Sequence, residues 1–543
     1  MGTSKSLPKL NLLQPLQKLN HIYLVSGLML LGLLLRLPSL SLGLWRDEGS
    51  TYFDVLPSDL GKLIETVIYS ELNPPGFYLI MHQWIQWLGS QEVVFKLPAF
   101  FFGLLLIPAT YGVGRVAISR GAGVIAAAIA TFAPDTIYYS QEARPYTLTA
   151  LLCCLVVLFY CKALVSKHQI WYLLAFVFCT YLLLYVQYTG LLLVVSLGIN
   201  TLYLLLSRVA NFRFVRFAIA FGIIFLLFTP WLQAFLTHLH TGTPWNVKEP
   251  WQIRPKLFLG NIMSTIPLIS GTGKKAGLFL VLFAMGVEAK QLLFPAGKSS
   301  LRGIAPPNAS KVTLVMCFLL TAAMLSVLSY GGRYMMPFAP FAWAIFGSWL
   351  IALFQYLDRC WTSQSSRFSQ QLAVLLLILL LILPNSIYAL SLGNGDKSGI
   401  RSLAANFQGN QEEKTFYLLS PDKFGPTFGY YFAQHPVEFY GFARWHRPEI
   451  FSPIGYAELW NSPTLISDME QRIQNKIQQG YRRLALIQES ATIPADIGPL
   501  RTTSRANKFL SRLRQTYTLL EKTDYPGIKE SVTLYLFSLV EQN

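Results

Sequence analysis

Residues 21–49 read HIYLVSGLMLLGLLLRLPSLSLGLWRDEG. A membrane-spanning helix needs about 20 predominantly apolar residues. This run meets that length, lacks a small-residue cleavage site, and leads straight into Leu44-Trp45-Arg46-Asp47-Glu48-Gly49, so it reads as a retained helix that ends on two adjacent carboxylates. Working outward, further apolar runs recur to residue 392, at 96–114, 121–138, 145–161, 170–188, 189–207, 216–235, 276–293, 312–330, 337–357 and 371–391. With 21–41 they make eleven expected spans. Charged residues are only 13% of the 543, against roughly 25% in soluble domains. At 14% aromatic residues a disordered chain is also excluded. The expected fold class is an α-helical polytopic membrane protein, with a small α/β domain at its C-terminus.

The net charge of +17 is unevenly placed. Residues 1–392 carry 27 Lys and Arg against 12 Asp and Glu, and residues 393–543 carry 17 against 15. The excess sits in short loops between apolar runs, where positive charge sets orientation. Nucleic-acid binding would need a basic face on a soluble domain, so no nucleic-acid partner is expected. A cytoplasmic N-terminus makes every proposed inner loop basic and leaves only Glu288 and Asp358, of those 12 acids, inside. Residues 393–543 then lie outside the cell as a separate domain from the membrane part, 1–392.

Gly76–Gly89 is apolar but cannot span without inverting every later loop, so it is expected as a re-entrant or interfacial helix. Before it, Leu60, Leu63, Ile64, Val67 and Ile68 repeat at helical spacing, with Ser58 as expected N-cap. Asn73-Pro74-Pro75 ends that amphipathic helix. In the tail, Thr415–Leu419, Leu484–Gln488 and Val532–Leu539 read as strands, and Ile466–Gln479 and Asn507–Gln515 as helices. All six cysteines lie in or beside apolar runs and read as buried thiols without metal spacing.

The chemistry gathers at one membrane face. Asp47 and Glu48 suit a general base or a divalent cation, or else form an ordinary acidic pair. Glu71, ahead of Asn73, either assists a substrate hydroxyl or caps a turn. Glu142, Arg144 and Tyr146 stand at a helix entrance, where the arginine fork suits a phosphate or a local ion pair. Arg333 and Tyr334 follow two glycines at another span end, which allow close ligand approach; snorkelling of the arginine is the alternative. In the outer loop at 236–275, His238 and His240 make an incomplete metal pair, and a basic aromatic loop over the site is the expected role. No acid or lysine sits mid-membrane in a span, which weighs against an ion or proton pathway.

A span followed by Trp-x-Asp-Glu, an amphipathic helix, a Pro-Pro pair, Glu-Ala-Arg-Pro-Tyr and a late Gly-Arg-Tyr-x-x-Pro resembles the GT-C membrane glycosyltransferases over residues 20–390. Within them the pattern is similar to the glycosyltransferase family 39 group, which includes protein O-mannosyltransferases and lipid A aminoarabinose transferases. The resemblance implies a polyprenyl-phosphate-linked sugar donor and a site on the extracytoplasmic face. It maps the family's first-loop acid to Asp47, beside Glu48. Asn73 replaces the His of the family's His-Pro-Pro segment, and Glu142-Ala143-Arg144 replaces an Asp of the second loop, as in a divergent, mostly bacterial branch. The lumenal repeats of the protein O-mannosyltransferases are missing, so the implied acceptor is a lipid or glycan hydroxyl. No cofactor is required by the sequence; a divalent cation is compatible with it. A bacterial plasma membrane is the implied location. A flippase of lipid-linked sugars and a non-catalytic membrane scaffold are the alternative readings.

Overall fold

The computed structural model describes residues 21–209, 212–242, 249–265, 306–360, 395–407, 414–435, 437–453, 456–490 and 502–541. The expected spans 276–293 and 371–391, and 243–248 and 266–275 of the loop at 236–275, lie outside them. Among the described residues, eight helices are long and apolar enough to cross a membrane: His21–Ser41, Glu92–Ala117, Tyr146–Val165, Gln169–Val186, Thr189–Leu206, Phe214–Thr241, Ala309–Val327 and Gly332–Leu353. The protein is a multi-pass membrane protein.

The expected span 121–138 is not one helix. It breaks into Arg120–Phe132 and Pro134–Tyr139, because Pro134 forces Ala133 into extended backbone. Its first part, 13 residues, is about 20 Å long. It is rich in Gly and Ala and packs between Glu92–Ala117 and Ala339–Cys360. A Cβ at Gly114 would lie 2.7 Å from the Cα of Gly123, so the two helices cross at backbone contact.

Arg36 is fully buried at the end of the first helix and its guanidinium is saturated. It donates to Gly32 O (3.0 Å), Thr131 O (3.2 Å), Ala130 O (3.0 Å), Ser140 Oγ (3.1 Å) and Thr136 Oγ1 (3.2 Å). Two of those carbonyls end the broken helix, where the helix dipole favours a cation. Lys96, also fully buried, donates to the carbonyls of Leu40 and Leu42.

The loop after the first span carries three helices. Arg46–Val55 begins at the acidic pair. Leu60–Ser70 is amphipathic as expected, burying Leu63 and Val67, but its cap is Asp59, whose carboxylate accepts from Lys62 N, rather than Ser58. Gly76–Leu88 follows the Pro-Pro pair.

The C-terminal part is a five-stranded sheet in the order β2-β1-β3-β5-β4, with β1 Thr415–Ser420, β2 Glu438–Gly441, β3 Arg483–Glu489, β4 Tyr517–Tyr525 and β5 Val532–Glu541. β2, β1 and β3 run parallel; β5 and β4 are antiparallel. Alternate residues of β1 and β3 face two cores. Phe416, Leu418, Leu484 and Leu486 meet Met469, Ile473 and Phe509 on one side. Tyr417, Leu419 and Ile487 meet Ile400, Phe428 and Phe432 on the other. The helix Gly425–Tyr431 of that second face lies on Arg46–Val55 so closely that a Cβ at Gly49 would stand 2.8 Å from the Pro426 backbone.

Candidate active site

Asp47 lies in the first turn of its helix, with three arginines from three parts of the chain around it. Its Oδ1 is 3.1 Å from Arg46 Nε, and its Oδ2 is 2.9 Å from Arg333 Nη1. Arg144 Nη1 donates to the Asp47 carbonyl at 3.1 Å. Burial works to raise the Asp47 pKa, but Arg46, Arg333 and Arg144 together outweigh it and hold the carboxyl well below the usual range. Arg333 also lies over the rings of Tyr146 (6.0 Å) and Tyr334 (5.4 Å). Arg46 and Arg333 keep 29% and 30% side-chain exposure, so both are open to a ligand.

Behind this front, Arg144 is clamped by Glu71 in a two-point pair, at 2.6 Å (Nη1–Oε1) and 3.1 Å (Nη2–Oε2), and donates to Thr51 Oγ1 at 3.0 Å. Asn73 Nδ2 is 3.5 Å from Glu71 Oε2. Asp54, buried beside them, accepts from Ser70 Oγ at 2.5 Å. Burial first, and then the Glu71 charge, pushes the Asp54 carboxyl well above its ordinary value.

Glu48, one residue after Asp47, points elsewhere. It is fully buried, accepts Ala143 N at 2.9 Å on Oε1, and pairs through Oε2 with Lys397 Nζ at 2.8 Å. Glu142, also buried, accepts from the Tyr138 hydroxyl. Its pKa is raised by burial, with Lys397 opposing and Glu48 adding to the rise. Glu530 accepts Arg46 N (3.0 Å) and Thr427 Oγ1 (3.1 Å), and burial pushes its pKa up to about 7 against the pull of Arg46.

Contacts therefore connect Asp47, Glu71, Asn73, Arg144, Tyr146, Arg333 and Tyr334 in one cluster, while Glu48 and Glu142 form a second layer under the second loop. Arg46, Asp54, Lys397 and Glu530 are the members that motif reading passes over. The Asp-Glu pair does not make a shared cation site, since its two carboxylates turn to different basic partners. Among the described residues no group of three or more His, Cys, Asp and Glu is placed to hold a metal ion. His238 is bonded to Tyr188 Oη (2.8 Å) and to Ile68 O (3.0 Å), which ties its helix to the amphipathic one.

The spans, the helical first loop and the terminal sheet domain define the GT-C fold of membrane glycosyltransferases. ArnT from Cupriavidus metallidurans in the apo state superposes with a TM-score of 0.53 at 13% identity, covering 95% of this chain and 97% of that one. The same protein bound to undecaprenyl phosphate gives 0.52, again at 13% identity and the same coverage. The archaeal oligosaccharyltransferase AglB from Archaeoglobus fulgidus, in complex with an inhibitory peptide and a dolichol-phosphate, gives 0.54 at 13% identity, covering 87% of this chain and 69% of that one. The sequence itself matches no known family profile and no curated protein.

Proposed function

We propose that the chain is an integral-membrane glycosyltransferase that moves a sugar from a polyprenyl-phosphate donor to a lipid or glycan hydroxyl, with inversion, on the extracytoplasmic face of a bacterial plasma membrane. In this reading residues 1–392 carry the chemistry, the N-terminus is cytoplasmic, and residues 393–543 lie outside. One observation carries it: three guanidiniums meet at Asp47, Arg46 and Arg333 on its carboxylate and Arg144 on its main-chain carbonyl, and the first two are partly exposed. A donor phosphate supplies the charge that Asp47 supplies here. Lipid phosphates bound by solved structures of this fold, undecaprenyl phosphate in ArnT and dolichol-phosphate in AglB, support that choice of ligand.

The mechanism follows from the exchange. Arg333 and Arg46 turn from Asp47 to the phosphate, and Arg144, anchored by Glu71, keeps its place. Asp47 then loses two of the charges that depress its basicity at the moment an acceptor hydroxyl is bound. The hydroxyl oxygen attacks the anomeric carbon from the face opposite the phosphate, the carbon–oxygen bond to phosphate breaks, and the proton passes to Asp47 late in the step. The arginines stabilise the charge that grows on the leaving phosphate. Tyr146 and Tyr334 hold the Arg333 plane. The described spans offer a transporter little: their two fully buried cations, Arg36 and Lys96, are both bonded to backbone carbonyls.

The test uses the full chain in lipid nanodiscs with labelled polyprenyl-phosphate sugars and an extract of acceptor lipids. Transfer by the native chain and its near-loss in Asp47→Asn is the expected result. Equal transfer by both would move the base to another carboxylate. Binding of undecaprenyl phosphate without transfer of any sugar would favour a flippase.

A further inference from the structure

Lys397 lies at the start of the C-terminal part, three residues after a segment outside the described residues, yet its side chain is 2% exposed and reaches the first and second loops. Its Nζ donates to Glu48 Oε2 at 2.8 Å and to the Gln141 carbonyl at 2.7 Å. Glu48 Oε1 in turn accepts from Ala143 N at 2.9 Å. One ammonium and one carboxylate thus close a ring that joins the residue after Asp47 to the residues on both sides of Glu142 and just before Arg144. Flanking contacts hold the same junction: Gly43 N to Asp396 Oδ1 (2.9 Å), Arg46 N to Glu530 Oε1 (3.0 Å), and Arg401 to Glu92 (2.7 Å).

We propose that Lys397 is a positioning residue for the transfer, fixing the first-loop base and the second-loop arginine at their working separation, so that the C-terminal part is a component of the active site. This rests on the glycosyltransferase reading above. Lys397 touches neither substrate nor reacting atoms; it acts through Glu48 and the 141–144 backbone. Removing its charge leaves Glu48 buried without its cation, and a buried pair that loses one partner is strongly destabilised. The carboxylate then relaxes toward water and carries Asp47 with it. A displacement of about 1 Å at a reacting group costs on the order of 10²-fold in rate.

The experiment compares native chain, Lys397→Met, and the double variant Glu48→Gln/Lys397→Met in nanodiscs, counting folded molecules by size-exclusion and thermal melt. Positioning requires that Lys397→Met lower kcat by about 10²-fold, with the donor KM within about threefold, because the arginines remain. The double variant, which removes the stranded charge and keeps an acceptor for Ala143 N, should recover most of that loss. A drop in melting temperature with unchanged turnover per folded molecule would overturn the proposal, as would a double variant no more active than Lys397→Met alone. A second readout needs no turnover. Spin labels on Asp135→Cys and Lys508→Cys, both exposed positions, should give one narrow distance in the native chain and a broadened one in Lys397→Met. If the native chain transfers no sugar yet the distance broadens, the glycosyltransferase reading fails and the brace stands; an unchanged distance overturns the brace.

Discussion

Arg36 and the three arginines around Asp47 are held in opposite ways. Arg36, inside the membrane part, has no acid among its hydrogen-bond partners; three carbonyls and two hydroxyls fill its donors. Arg46, Arg144 and Arg333, in and beside the loops, each meet a carboxylate. The kind of partner decides what each arginine can do. Neutral acceptors that belong to a helix end cannot be exchanged, so Arg36 is a fixed strut. A carboxylate is chemically close to a phosphate, so an arginine resting on one can be handed to an anionic ligand without leaving its charge bare.

Asp47→Asn should have the largest effect. If Asp47 both receives the proton and stands in for phosphate, kcat should fall by about 10³-fold, while undecaprenyl phosphate binds equally well or more tightly, because two arginines are released. Binding that weakens in parallel with turnover would make Asp47 a structural ligand only. Arg333→Ala comes next: about 10²-fold lower transfer together with weaker undecaprenyl phosphate binding. Arg36→Met should do the reverse. It strands buried acceptors, at about 1–3 kcal/mol of stability for each one left unpaired, and leaves turnover per folded molecule near native, as thermal melts with parallel assays would show.

The smallest effect is a pH dependence. Glu530 has a folded pKa raised to about 7 by burial, so the folded state holds a proton that the unfolded state releases near its ordinary value. Stability from this group is therefore greatest at acid pH and is lost as pH rises toward about 7. Glu530→Gln should flatten that slope and gain no more than about 3 kcal/mol relative to native above pH 7. Melting temperatures across pH 4 to 9, unchanged in slope by the variant, would show that Glu530 is already ionised.

How much of this the sequence discloses depends on the range of each interaction. Spans and central strands are written in local apolar runs, and β1, β3 and β5 fall on the segments expected as strands. β2 has only four residues, and β4 is an edge strand whose residues are mostly exposed, so neither leaves a burial pattern to read. The break at Pro134 was legible in its proline but hidden by the apolar residues on both sides. In the site, Asp47, Arg144 and Arg333 lie in compact motifs. Lys397 does not: its partner is 349 positions away, and Gly393-Asn394-Gly395-Asp396-Lys397-Ser398-Gly399 reads as a linker. Asp54 looks like an ordinary helix acid until its burial beside Glu71 is seen.

The Arg46–Glu530 contact closes across 484 positions, nearly the whole chain. At ordinary translation rates the first loop therefore emerges roughly 25 to 100 s before the residue that caps it exists. For most of that interval Glu48 has no Lys397 and Gly49 has no Pro426 to rest on. The first loop is thus made early, and its contacts close only once the strands of the C-terminal sheet exist.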